Sequence, residues 1–171
     1  MKFNSIKQLK DEGFVGFRTT TDIYECSNYI PDERGIYMMI YPYDEDPRFT
    51  LKGTGGYHKK KDPNVDSTYL RSRWVNQSIV LYIGQAGGIR NGKWSNATLR
   101  ERISAYVKFG NGHNAGHYGG RLVWQILNNS KIIICWKELP NKIADPRQIE
   151  KKMISAFETI YGKRPFANID A

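Results

Sequence analysis

A chain of 171 residues with 40% hydrophobic residues can bury a real core, and this composition excludes a disordered protein and predicts one globular domain. Its 26 basic residues exceed its 17 acidic residues, and the net charge of +9 favours a polyanionic partner such as nucleic acid. The alternative is that scattered surface lysines only maintain solubility. No stretch reaches the roughly 20 apolar residues of a membrane span, and the amino terminus lacks a signal-peptide core, so we expect a cytoplasmic protein without a membrane partner.

The leader, residues 1–34, is expected to pack on the core. A short helix around Ile6 and Leu9 should end near Gly13, and residues 31–35 resemble a turn into the first strand. Neither Cys26 nor Cys135 belongs to a metal-type pair of cysteines. Both thiols are expected to be reduced, and Cys135 should be a small buried side chain in the apolar run 132–136.

Two short apolar segments, 35–41 and 79–84, have the pattern of buried strands. In the first, Tyr37 lies on the opposite face from Ile36 because successive side chains alternate. In the second, Tyr82 brings a phenol into an apolar run, where its hydroxyl needs a hydrogen-bond partner. If the strands pair, both phenols can lie on one face of the sheet.

The insertion 42–78 separates these strands, and an insertion of this length is more often functional or mobile than idle. Its glycine run 53–56 lacks the ending of a phosphate-binding P-loop, which argues against nucleotide hydrolysis. Its lysines suit contacts with a phosphate backbone, although a solvated loop tip is the alternative. The candidate nucleic-acid-binding residues of the chain are Lys59, Lys60, Lys61, Arg71, Arg73 and Arg121.

A helix is predicted over 99–109, because Thr98 and Glu101 form a capping-box pattern before an apolar stripe. Arg102 and Tyr106 are one turn apart at the margin of that stripe, where a guanidinium can reach over a cleft. A surface salt bridge is the alternative role for Arg102.

The glycine-rich loop 110–120 carries His113 and His117 at a spacing typical of zinc pairs, but its glycines argue against a helix there. After it, 119–127 is predicted to be helical and 131–139 to be a third strand. The fold predicted from this order is α+β, with a small, largely antiparallel three-stranded sheet flanked by helices.

The last helix should begin at Asp145, a cap residue before proline, and end near Gly162. Glu150 lies on or beside its apolar stripe, and a carboxylate there needs a cation or a donor. A structural arginine is one possible partner and a divalent metal is the other. Asn168 follows this helix and can bond backbone or substrate.

In motif order the chain resembles the GIY-YIG nuclease family from about Gly35 to Asn168. The first two motifs are Gly35-Ile36-Tyr37 and Tyr82-Ile83-Gly84. The other positions that match the family pattern are Arg102, Tyr106, His117, Glu150 and Asn168. The chain looks most similar to free-standing bacterial members that end in Gly-Lys-Arg-Pro-Phe-Ala-Asn.

The resemblance implies an endonuclease that hydrolyses DNA with one Mg²⁺ or Mn²⁺. Glu150 would hold the metal and Arg102 would stabilise charge on the phosphate. Tyr37 or Tyr82 would take the proton from water, with Tyr37 preferred as the base and Tyr82 as the positioning residue. Tyr106 and His117 would hold the hydrogen-bond network or the phosphate.

Two features depart from the family pattern. Gln85 stands where the nuclease of bacterial excision repair has lysine, and the insertion 42–78 is much longer than in short members. That insertion is expected to carry substrate choice or to cover the cleft. A catalytically silent nucleic-acid-binding module of the same fold is the alternative function. RNA as substrate, a restriction or a repair role, and a monomer or a homodimer all remain open.

Overall fold

The computed structural model describes residues 1–169, and Asp170 and Ala171 lie outside the described residues. Its α-helices are α1 (Ile6–Asp11), α2 (Thr20–Glu25), α3 (Ser67–Arg73), α4 (Leu99–Gly110) and α5 (Pro146–Tyr161). Its strands are β1 (Val15–Thr19), β2 (Gly35–Ile40), β3 (Val80–Ala86), β4 (Ile89–Arg90), β5 (Lys93–Trp94) and β6 (Ile133–Glu138). Two 3-10 helices span Tyr118–Gln125 and Asn129–Lys131.

The main sheet has four antiparallel strands in the order β1-β6-β2-β3, so β3 lies at an edge. The predicted α+β class is confirmed, but the predicted number of three strands is wrong, because β1 from the leader pairs with β6. This strand lacks a buried apolar alternation, since Val15 is exposed and Gly16 has φ +93° beside a register shift. No period-two signal therefore marks it in the sequence.

Helices cover both faces of this sheet. Tyr37 and Met39 of β2 face a core shared with α2, α4 and the longer 3-10 helix, whereas Ile36 and Met38 face a second core shared with α1 and α5. The alternation predicted for this strand thus divides two cores. Because β3 is the edge strand, side chains from both layers can meet there.

The helix ends follow from local chemistry. Thr98 accepts from the Glu101 amide and the Glu101 carboxylate accepts from the Thr98 amide, which completes the predicted capping box of α4. Asp145 caps α5 before Pro146, and Gly162 ends it at φ +67°, a left-handed conformation that suits glycine. These ends position Arg102 and Glu150.

The region before β6 differs from the prediction. Residues Tyr118–Gln125 form a 3-10 helix with a kink at Gly120 in place of the predicted helix over 119–127. A Cβ at Gly120 would lie 2.2 Å from the Tyr106 hydroxyl, so the chain passes too close to α4 for an ordinary residue. Also unpredicted are α2, α3 and the β4–β5 hairpin, which are too short to show a periodic pattern.

The insertion 42–78 is fastened to the core by Gln125, which is buried. The Gln125 side chain accepts from the Val65 amide at 2.8 Å and donates to the Val65 carbonyl at 2.9 Å. It also donates to the Thr50 carbonyl at 3.1 Å. Phe49 stacks on Phe166 with ring centroids 5.7 Å apart. The insertion is therefore an integral layer beside the longer 3-10 helix.

Cys135 is fully buried in β6, as predicted, and burial raises the pKa of its thiol. Among residues 1–169, no helix combines the length and the apolar character that a membrane crossing needs.

Candidate active site

The phenols of Tyr37 and Tyr82 pack together where β2 and β3 pair. Their ring centroids are 6.0 Å apart, and the cross-strand partner of Tyr37 is Gly84. A Cβ at Gly84 would lie 2.4 Å from Cζ and 2.6 Å from the hydroxyl of Tyr37, and 2.8 Å from Cε1 of Tyr82. The glycine of the second motif therefore makes the space in which the two phenols meet.

His117 joins the phenols from the loop before the longer 3-10 helix. Its Nε2 lies 2.6 Å from the Tyr37 hydroxyl, and both residues are buried. Burial, followed by the charge of Arg102, lowers the pKa of His117 to about 3. The ring is therefore neutral near pH 7, and in the tautomer protonated on Nδ1 its Nε2 accepts from Tyr37.

Tyr106 holds the histidine ring from α4. The two rings stack at a centroid distance of 4.1 Å and an angle of 8°. The Tyr106 hydroxyl donates to the Gly120 carbonyl at 2.5 Å, so its proton is already committed to the backbone. Tyr106 thus fixes the position of His117 and of the kinked segment, and it does not line the cleft beside Tyr82.

A cleft of about 660 Å³ opens beside Tyr82 at the edge of the sheet. Tyr82 retains 8% exposure, whereas Tyr37 is fully buried behind it. Glu150 lines the same cleft from α5, and Asn168 lines it from the C-terminal segment. Residues far apart in sequence, on both layers of the fold, therefore meet in one opening.

Glu150 is only partly exposed, and burial raises its pKa to about 7 although Arg147, Arg102, Lys151 and Arg164 all act to lower it. None of the ion pairs within residues 1–169 includes Glu150. The structural arginine partner considered from the sequence is therefore not formed as a direct ion pair. The carboxylate faces the cleft among four positive charges that surround it.

Arg102 lines a smaller recess of about 240 Å³ that adjoins this cleft, because Gln85 and Arg147 border both. Burial raises the pKa of Tyr82 to about 12 and raises that of Tyr37 well above its ordinary value, and the positive charge of Arg102 opposes both shifts. A cation that favours two phenolates and borders a cleft can also stabilise a phosphate there.

Asn168 completes the edge of β3. Its Oδ1 accepts from the Ile83 amide at 2.9 Å and its Nδ2 donates to the Ile83 carbonyl at 2.8 Å. One side chain thus satisfies both backbone groups of an edge-strand residue, as a neighbouring strand would. Of the two roles predicted for Asn168, bonding to backbone is observed.

The donor set fits one hard divalent cation with few protein ligands. Residues 1–169 contain no group of three or more histidine, cysteine or carboxylate side chains able to hold a metal, and His113 instead lies 3.2 Å from the Tyr24 hydroxyl. A closed zinc site of the kind considered for His113 and His117 is therefore not formed there. Mg²⁺ is commonly held by one or two carboxylates with water and substrate oxygens, and Glu150 can serve as such a ligand.

The basic residues predicted to bind nucleic acid lie outside the main cleft; they are Lys59, Lys60, Lys61, Arg71, Arg73 and Arg121. The lysines form an exposed tip next to Asp62, whose carbonyl accepts from Tyr118. Arg73 donates to the carbonyls of Phe166 and Asn168 at 3.3 and 3.0 Å.

Arg121 lies over the Tyr118 ring at 4.2 Å, and Arg71 is exposed on α3. No residue of the insertion 42–78 lines the main cleft, so the expectation that the insertion covers the cleft is wrong. Its layer is held instead against the longer 3-10 helix.

The cations that do line the cleft are Arg147, Lys151 and Arg164, none of which was among the predicted site residues. The signal for Arg147 was its spacing, because a residue three positions before Glu150 on a helix shares its face. Arg164 belongs to the same C-terminal motif as Asn168, but no sequence pattern indicated that its side chain lines the cleft.

Comparison of the chain with protein-family models, with curated proteins and with solved structures finds no match. The resemblance to GIY-YIG nucleases remains a prediction from the motifs.

Proposed function

We propose that this protein is a metal-dependent endonuclease that hydrolyses DNA phosphodiester bonds by chemistry of the GIY-YIG type. The observation that carries the proposal is one cleft lined by Tyr82, Glu150 and Asn168, with Tyr37 and His117 packed behind Tyr82. These are the residues that the motif order selected. Phosphodiester hydrolysis needs a water that loses a proton, charge stabilisation at the phosphate, and a group that stabilises the leaving oxygen.

Glu150 would hold a single Mg²⁺ or Mn²⁺. The bound cation would supply Lewis-acid stabilisation of the phosphate and leaving oxygens. Glu150 suits this role because it is partly buried, faces the cleft and has no ion-pair partner within residues 1–169. The surrounding arginines and lysine would help to draw the polyanionic substrate to the same place.

Tyr82 is the phenol that lines the cleft, so we propose that it is the general base that takes the proton from the attacking water. This reverses the preference drawn from the sequence, because Tyr37 is fully buried and its hydroxyl is bonded to His117. Tyr37 then positions Tyr82 by packing against it. The pKa of about 12 already includes the opposing charge of Arg102, so Tyr82 would be a poor base at pH 7 unless a cation bound at Glu150 also favoured its phenolate.

Arg102 would stabilise the negative charge that develops on the phosphate. Its side chain borders the adjoining recess, and it forms no ion pair within residues 1–169 that would compete with a phosphate. A guanidinium suits the task because its donors match phosphate oxygens in geometry.

A cleavage panel tests the proposal. Supercoiled plasmid, nicked duplex, branched DNA, single-stranded DNA and RNA are incubated with Mg²⁺ or Mn²⁺, and the cut ends are sequenced. We expect metal-dependent cutting of DNA by the wild type and none by a folded Glu150→Ala variant. Salt-dependent binding without cutting of any substrate would overturn the proposal in favour of the silent binding module.

A further inference from the structure

The β4–β5 hairpin, residues Ile89–Trp94, is an exposed basic projection that the proposed chemistry does not use. Ile89 pairs with Trp94 and Arg90 with Lys93. The turn residues Asn91 and Gly92 have φ values of +52° and +75°, as the tight hairpin turns favoured by Asn-Gly require. A Cβ at Gly92 would meet nothing within 4 Å, so the tip extends into open space.

The base of the hairpin is firmly attached beside the cleft. The Ile89 amide donates to Asp145 at 2.9 Å, which ties one strand to the cap of α5. The Arg34 guanidinium lies 5.2 Å from the centre of the Trp94 ring, which holds the other strand by a cation–π contact. An isolated two-stranded hairpin is only marginally stable in water. The contacts of Ile89 and Trp94 therefore stabilise the hairpin and fix its orientation on the protein.

A line of positive charge connects Glu150 to the hairpin tip. Arg147 borders the main cleft, and it also borders the recess that Arg90 and Arg102 line. Lys93 is exposed at the tip opposite Arg90. None of the ion pairs formed within residues 1–169 involves these cations. Their charge is therefore available to a partner whose backbone carries phosphates at regular intervals.

We propose that the hairpin Ile89–Trp94 enters the major groove of duplex DNA beside the scissile phosphate. Arg90 and Lys93 bind flanking phosphates and Asn91 faces base edges. A two-stranded ribbon fits the major groove of B-form DNA, which is about 12 Å wide, whereas the major groove of an RNA helix is too narrow for it. An asparagine at the tip carries the donor and acceptor pair that matches adenine. The inference rests on the proposed function and narrows its substrate to duplex DNA.

Binding without cleavage tests the phosphate contacts. A fluorescent duplex is titrated by anisotropy in EDTA over a range of salt, with wild type, an Arg90→Ala/Lys93→Ala double variant and a Lys10→Ala/Lys131→Ala control. The control removes the same charge from exposed residues on elements next to β1, at the opposite end of the sheet. Each phosphate contact contributes about 0.9 to the slope of log K against log salt, so the hairpin variant should lose about two units and the control almost none.

An Asn91→Gly variant tests base contact, since glycine adopts the same positive φ without strain. Sequenced cut sites should lose their preference while the salt slope stays at the wild-type value. Two outcomes overturn the hairpin inference alone, provided that the wild type binds and cuts DNA. In the first, the hairpin variant binds duplex DNA as tightly as the control variant does. In the second, the hairpin variant loses as much affinity for single-stranded DNA as for duplex DNA. A wild type that neither binds nor cuts DNA removes the proposed function as well.

Discussion

The buried neutral His117 makes stability depend on pH in a direction that can be worked out. Burial lowers the pKa of His117 to about 3 in the folded protein, whereas an unfolded histidine titrates near 6.5. Below about pH 6.5 the unfolded chain takes up a proton that the folded chain does not, so stability falls as the pH falls. At about pH 5 the loss from this one residue is about 2 kcal/mol, and at about pH 7.5 it is close to zero.

Urea denaturation of wild type and His117→Gln at both pH values measures the pH-dependent contribution of His117 to the free energy of unfolding. Glutamine can accept from Tyr37 but has no proton to gain, so the free-energy gap between the proteins should narrow by about 2 kcal/mol at the lower pH. Glu150 acts with the opposite sign, because its pKa is raised to about 7. It is present in both proteins, and the comparison therefore isolates the histidine.

Tyr37→Phe is the matched control. It removes the hydroxyl 2.6 Å from Nε2 but leaves the histidine buried, so its stability should follow the wild-type dependence on pH. A gap between wild type and His117→Gln that stays constant to within about 0.5 kcal/mol would contradict the burial of a neutral ring at this position.

Two further substitutions test the frame of the site by urea denaturation and by cleavage. Asn168→Ala leaves both backbone groups of Ile83 without their side-chain partner, so it should lower the free energy of unfolding by about 2–4 kcal/mol. The control Asn96→Ala, at an exposed position, should lower it by less than about 0.5 kcal/mol. Equal losses would refute the edge-pairing role of Asn168. Gly84→Ala puts a Cβ 2.4 Å from Cζ of Tyr37, so it should lower the free energy of unfolding by about 1–3 kcal/mol and abolish cutting. Full cleavage activity would show that cutting does not need the close packing of Tyr37 and Tyr82.

The elements with long periodic patterns were predictable from sequence, because their side chains report the core directly. Helix α5 begins at Pro146 and ends at Tyr161, inside the predicted limits. The strand alternation around Tyr37 predicted which face it occupies. By contrast, β1 contains the left-handed Gly16 and is largely exposed, so its pairing with β6 depends on tertiary contact that no local pattern records.

The candidate site likewise combines residues that the sequence indicates and roles that only the fold indicates. Motif order selected Tyr37, Tyr82 and Glu150, but their roles depend on which phenol reaches the cleft, and only burial distinguishes them. The lysines at 59–61 are conspicuous in sequence and lie away from the cleft, whereas Arg147 is a single residue that helical geometry places there.

The proposed function depends most directly on Glu150, which should support metal-dependent cutting at this cleft. The direct measurement is the rate at which supercoiled plasmid is cut in Mg²⁺ by wild type, Glu150→Gln and Glu158→Gln, the last a control on the same helix that also lines the cleft. We expect a loss of at least about 100-fold for Glu150→Gln, near-normal cutting for Glu158→Gln, and unchanged DNA affinity in EDTA for both. Equal rates for Glu150→Gln and wild type would contradict the proposed function.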